Sequence, residues 1–139
     1  MRVIICGSTH WNYNEIVSDE VVRLRRLARN KGEKLLIITG GEPGPETAAE
    51  EACKQLAIDY IIQPAIKVLG SECFTRRNEL MLKYHTPDLV IGVSHNIKQN
   101  RVIYDLLTRA QLKGIKTKLI DYKSIQKSDE EIAFNPYSK

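Results

Sequence analysis

The sequence predicts an α/β domain: a doubly wound, mainly parallel, five-stranded Rossmann-like sheet with helices on both faces. Three observations carry this. Short runs rich in Ile, Val and Leu, with little polar alternation, recur along the chain, as strands buried on both faces require. Stretches with apolar residues at spacings of three and four separate them, as helices packed by one face require. The length of 139 residues suits a single domain, large enough to bury about 68 to 70% of its unfolded surface without metal or disulfide staples. Alternating strands and helices joined by right-handed crossovers then give the doubly wound arrangement, with the order 3-2-1-4-5 expected.

The strands fall at residues 2–6, 34–39, 58–62, 88–93 and 116–121. In the first intervening segment Val17, Val21, Leu24 and Ala28 lie within about 60° of arc, leaving Arg23, Arg25, Arg26 and Arg29 as a solvated face. Ala49, Ala52, Cys53 and Leu56 make a second stripe, whose small residues allow a helix to approach the sheet closely. Phe74, Arg77, Met81 and Tyr84 share a face of the third helix. Val102, Ile103, Leu106, Leu107 and Ala110 form the fourth stripe, which Gly114 ends as a C-terminal cap. Residues 1–121 are read as the domain and 122–139 as a polar tail, where Ser128-Asp129-Glu130-Glu131 resembles a capping box able to start one short helix.

The chain is 42% hydrophobic and 27% charged, with a formal net charge of +4. That excess permits an anionic ligand without requiring nucleic acid. Apolar runs of about five residues fall far short of the roughly 20 of a membrane span, so no membrane partner is expected. Val3 to Cys6 is too short for the apolar core of a secretory signal. The three cysteines, Cys6, Cys53 and Cys73, form no C-x-x-C pair and have no histidine at ligand spacing, which argues against a disulfide framework and a zinc site and fits a reducing cytoplasm.

Ligands of open parallel sheets bind beyond the strands' carboxyl ends, where the winding reverses. The loops after strands 1, 2 and 4 therefore hold the candidates. After strand 1, Gly7 permits a tight turn, Ser8 and Thr9 offer hydroxyls to a phosphate, and Trp11 either stacks on a base or packs inside. The loop is not G-x-G-x-x-G, which argues against standard dinucleotide binding. After strand 2, Gly40, Gly41 and Gly44 bring the backbone close to something. Glu42 and Glu46 sit near a helix N-terminus, where they would repel phosphate and suit the hydroxyls of a ribose. Alternatively Pro45 and Glu46 only start the helix well.

Arg77, inside an apolar stripe, either pairs with a buried carboxylate or reaches past the stripe to an anion, with Asn78 near enough to assist it. Beyond strand 4, Ser94, Lys98 and Arg101 stand where a helix should begin. Cations there favour a nearby anion or are simply exposed and screened.

The run from Met1 to Ser8, the Gly40-Gly41 pair with Gly44 and Glu46, Arg77-Asn78 with Met81, and Pro87 to Ile91 together resemble the YspA-like branch of the SLOG superfamily over about 120 residues. This superfamily includes the LOG phosphoribohydrolases and the DNA-uptake protein DprA. The resemblance implies a Rossmann-like fold that binds a nucleotide or nucleotide-derived small molecule, a role compatible with sensing, with no obligatory cofactor and no metal. Glu46 stands where an aspartate is usual and Pro45 where a small residue is. Thr9 stands where an arginine is frequent, and residues 94–99 where a P-G-G-x-G-T segment supplies a phosphate cradle and a catalytic glutamate. Two alternatives follow: an N-glycosidic hydrolase using Glu46 as general acid or base, and a single-stranded nucleic-acid binder using the basic first helix with Trp11 as a platform. A homo-oligomer is compatible with either.

Overall fold

A computed structural model describes residues 1–121; the 122–139 tail, with its capping-box tetrad, lies outside the described residues. The elements alternate as expected: β1 (Arg2–Gly7), α1 (Asn14–Asn30), β2 (Leu36–Thr39), α2 (Pro45–Leu56), β3 (Asp59–Ile62), α3 (Cys73–His85), β4 (Leu89–Val93), α4 (Arg101–Leu112) and β5 (Lys116–Ile120). Two 3-10 turns, Lys67–Glu72 and Ile97–Gln99, precede α3 and α4. All strand pairings are parallel, and the order is β3-β2-β1-β4-β5. Every strand therefore points its carboxyl end to the same edge.

The period-two geometry of β1 divides the core. Val3 and Ile5 face one side and pack with Val17, Val21, Leu24 and Ala28 of α1 and with Ala49, Ala52 and Cys53 of α2. Ile4 and Cys6 face the other and pack with Met81 and Leu82 of α3 and with Ile103, Leu106, Leu107 and Ala110 of α4. Helices from the first half of the chain thus cover one face, and helices from the second half cover the other.

Three expectations are corrected. β3 is not buried on both faces: it is an edge strand, and Ile61 and Ile62 are 38% and 45% exposed, since only β2 flanks it. Tyr84 does not share the burial of Arg77 and Met81 but is exposed, while Leu82 of the same turn is buried in its place. The arginines of α1 are not uniformly solvated. Arg26 and Arg29 are exposed, whereas Arg25 donates to the Leu56 carbonyl and Arg23 forks onto Glu20 at 3.1 and 2.6 Å.

Glu20 is buried in α1 and also receives Lys118 of β5 at 3.0 and 3.1 Å. Burial pushes its carboxyl up, but the hydrogen bonds and charges of Arg23 and Lys118 outweigh burial and hold it below the ordinary 4.5. A depressed folded-state value means that this contribution is complete above the unfolded value and is lost as pH falls through the folded one. Glu20→Gln is expected to lower stability by roughly 2 kcal/mol at neutral pH, because it leaves partly buried Lys118 without its counter-charge. In urea titrations the gap to wild type should be constant above about pH 5 and close as the pH falls below 4.5.

Candidate functional site

The winding reverses between β1 and β4, and the loops after β1, β2 and β4 meet at the carboxyl edge beside that reversal. Ser8 N–H donates to the Val93 carbonyl at 2.8 Å, and Ser94 N–H to that of Ile120 at 3.0 Å. The loops are thereby tied to neighbouring strands. A pocket of about 210 Å³ opens there. Gly7, Ser8, Thr9 and His10 line it from β1, Glu42 and Glu46 from the β2–α2 junction, Phe74 and Arg77 from α3, and Asn100, Val102 and Ile103 from the start of α4.

Gly44, at φ 98°, is the N-cap of α2, and Pro45 is its first residue. This start places Glu46 in the first turn, beside the ends of β1 and β2. The Glu46 carboxylate is buried and accepts the backbone N–H of Gly40 at 2.7 Å, of Gly7 at 3.4 Å and of Glu42 at 3.5 Å. From the opposite helical layer Arg77 brings Nη1 to 3.9 Å from Glu46 Oε1. Gly40 lies between them, and a Cβ there would collide with Arg77 Nη1 and Glu46 Oε1. What the glycine loop admits so closely is the protein's own ion pair.

Burial pushes the Glu46 carboxyl above its ordinary value, against the pull of the Arg77 charge and the three N–H donors. Cys6, beneath the pair, is pushed far up by burial and then by the Glu46 charge, so at ordinary pH its thiol is no nucleophile.

Arg77 is 3% exposed, and its guanidinium lies 5.5 Å from the Phe74 ring centroid. Its Nε and Nη1 are buried with no hydrogen-bond partner among the described residues. Of the two sequence readings, pairing with a buried carboxylate is therefore realised, while Arg77, which lines the pocket, keeps Nε and Nη1 buried and without a hydrogen bond.

The remaining candidates separate. Gly7, Ser8, Thr9, Glu46 and Arg77 line the pocket; Gly40 lies beneath, and Gly41 and Gly44 turn the chain at positive φ. Trp11 does not face a ligand: it is buried, stacked on His95 at 4.8 Å, with Nε1 donating to the Tyr13 carbonyl. Asn78 does not assist Arg77 but donates to the Val102 carbonyl at 2.9 Å and to Asp105 at 3.1 Å, bracing α3 on α4.

Ser94 is buried behind the pocket wall. α4 begins at Arg101, capped by Asn100, so Lys98 falls in the preceding 3-10 turn and is exposed. Arg101 meets Glu72 at 3.4 Å in solvent. Glu46 is spent on backbone donors and does not stand free for ribose. Val102 and Ile103, read as core alone, also form a wall, and only their place in α4's first turn signals it. Among the described residues no group of three or more His, Cys, Asp or Glu could hold a metal ion.

Neither a family model nor a curated protein matches the chain. Among solved structures, a match is a protein described as a UDP-N-acetylglucosamine 2-epimerase from Listeria monocytogenes, at TM-score 0.46 and 8% identity. The alignment covers 94% of this chain and 35% of that one, so the chain spans about a third of that protein's length.

Two substitutions test the clamp. Glu46→Gln keeps shape and volume but leaves Arg77 without its counter-charge, and should cost roughly 3 kcal/mol in chemical denaturation. Gly40→Ala should cost about 1 to 3 kcal/mol, because the methyl displaces both members of the pair. Wild-type stability in both variants would show that the edge does not depend on them.

Proposed function

We propose that the pocket binds the phosphorylated end of a nucleotide or nucleotide-derived small molecule, in keeping with the resemblance to the YspA-like branch of the SLOG superfamily. The observation that carries this reading is the buried Arg77 fork with unmet donors. Leaving a buried donor unsatisfied costs about 1 to 3 kcal/mol, and more on a charged group. A phosphate oxygen that reaches the guanidinium regains part of that cost through a charge-assisted hydrogen bond. Ser8 adds a second donor: its Oγ accepts the His10 N–H at 3.2 Å, which leaves the hydroxyl proton to give.

The volume of about 210 Å³ is below the roughly 300 to 1,000 Å³ of pockets that enclose drug-sized ligands. The site therefore suits one end of a nucleotide, with the base outside.

The two alternatives draw less support. A hydrolase using Glu46 would need a carboxylate free to exchange protons with substrate, and both its oxygens serve backbone donors. A single-strand binder would need Trp11 as a platform, and that ring is inside.

In thermal-shift and calorimetric titrations, adenosine and guanosine monophosphates should bind and the matching nucleosides should not. Ligand at 100 times its dissociation constant adds about 2.7 kcal/mol of stability. Arg77→Lys keeps the charge but loses the fork, and should weaken monophosphate binding by about 1.5 to 3 kcal/mol. Wild-type affinity in this variant would reduce Arg77 to the partner of Glu46.

A further inference from the structure

The pocket contains two carboxylates, and only one is committed to backbone donors. Glu46 is held by Gly7, Gly40 and Glu42. Glu42 is fixed by its main chain, since its N–H donates to Glu46 and its carbonyl accepts the Thr47 hydroxyl at 3.1 Å. Its carboxylate is 18% exposed and, among the described residues, is paired with Lys67 Nζ at 3.6 Å, from a side chain 70% exposed. That separation is beyond a hydrogen bond, and a pair so open to solvent contributes little. Glu42 is thus a positioned, largely desolvated acceptor whose capacity is unspent.

Resting on the phosphate-ester reading above, we propose that Glu42 is the specificity-determining residue of this pocket. Its carboxylate accepts hydrogen bonds from the vicinal hydroxyls of a pentose whose phosphate lies on Arg77, and so selects ribose over 2-deoxyribose. A partly buried carboxylate gains from donors and repels an anion. The phosphate must then lie on the Arg77 wall, and the ligand must present hydroxyls to the Glu42 wall. A pocket of about 210 Å³ has room for a sugar and its phosphate, which puts both groups within one ligand. A buried polar group left unpaired by the deoxy sugar is the kind of contact that discriminates strongly.

The test is calorimetric titration of wild type, Glu42→Ala and Glu42→Gln with AMP, dAMP and inorganic phosphate, with melting temperatures measured alongside. Wild type should prefer AMP over dAMP by roughly tenfold or more, as expected for a hydrogen bond to a charged group. Glu42→Ala should bring that ratio close to one while binding inorganic phosphate no more weakly than wild type. Glu42→Gln, which keeps one acceptor oxygen, should fall between.

If AMP and dAMP bind wild type equally, in a manner that Arg77→Lys weakens, the role of Glu42 is overturned and the phosphate reading stands. If a preference for AMP persists in Glu42→Ala, another group reads the sugar and the proposal fails. If none of the three probes binds wild type, both readings fall together.

Discussion

The ion pair between Arg77 and Glu46 is the constraint on which the carboxyl edge depends. Each partner belongs to a different helical layer, so the pair passes over the end of the sheet and fastens α2 to α3 where the core stops. Glu46 also gathers the ends of β1 and β2 through Gly7 and Gly40. The arrangement tolerates no side chain at position 40. It also accounts for the state of Arg77: a guanidinium approached from one side by a carboxylate whose lone pairs already serve amides is charge-compensated but not hydrogen-bonded.

Two glutamates four residues apart therefore do different work. Glu46 points into the protein, where its oxygens meet strand ends. Glu42 sits before the helix in the turn, held by its main chain, and lines the pocket. The rigid clamp supports the partly buried acceptor directly, since one of the three N–H groups received by Glu46 is that of Glu42. Preorganisation of this kind reduces the ordering cost that binding would otherwise carry.

The fold was legible because its signals are local. Unalternated Ile/Val/Leu runs and helical stripes are properties of short windows, and five parallel strands with right-handed crossovers leave few orders available. β3 was misread for the same reason. Ile61 and Ile62 look like a buried run in a window, and only the strand order makes them an edge. The site was partly legible. Gly7, Ser8, Thr9 and Arg77 follow from reading loops at the winding reversal together with one arginine out of place. The roles of Glu46, Trp11 and Asn78 were not legible, because each is decided by a distant partner: the Gly7 amide 39 residues from Glu46, the His95 ring, and the Val102 carbonyl 24 residues from Asn78. A side chain's chemistry shows in the sequence, but whether that chemistry is already satisfied does not.

The assignment of the two sheet faces to the two halves of the chain has a consequence for how the molecule forms on the ribosome. When α2 and β3 have emerged, β1 and β2 already have α1 and α2 against one face, and that half is able to close. The other face, with Ile4, Cys6 and Ile38, waits for α3 and α4. The central strand also waits for β4, which begins just after Asp88, a residue 86 positions beyond Arg2. Parallel pairing over such separations is slow, and an uncovered apolar face on a half-built sheet attracts association in the interval. The nascent chain thus passes through a stage with one finished side and one sticky side. Completion of α3 delivers Arg77 to the edge, and only the later docking of α4 finishes the burial of that side.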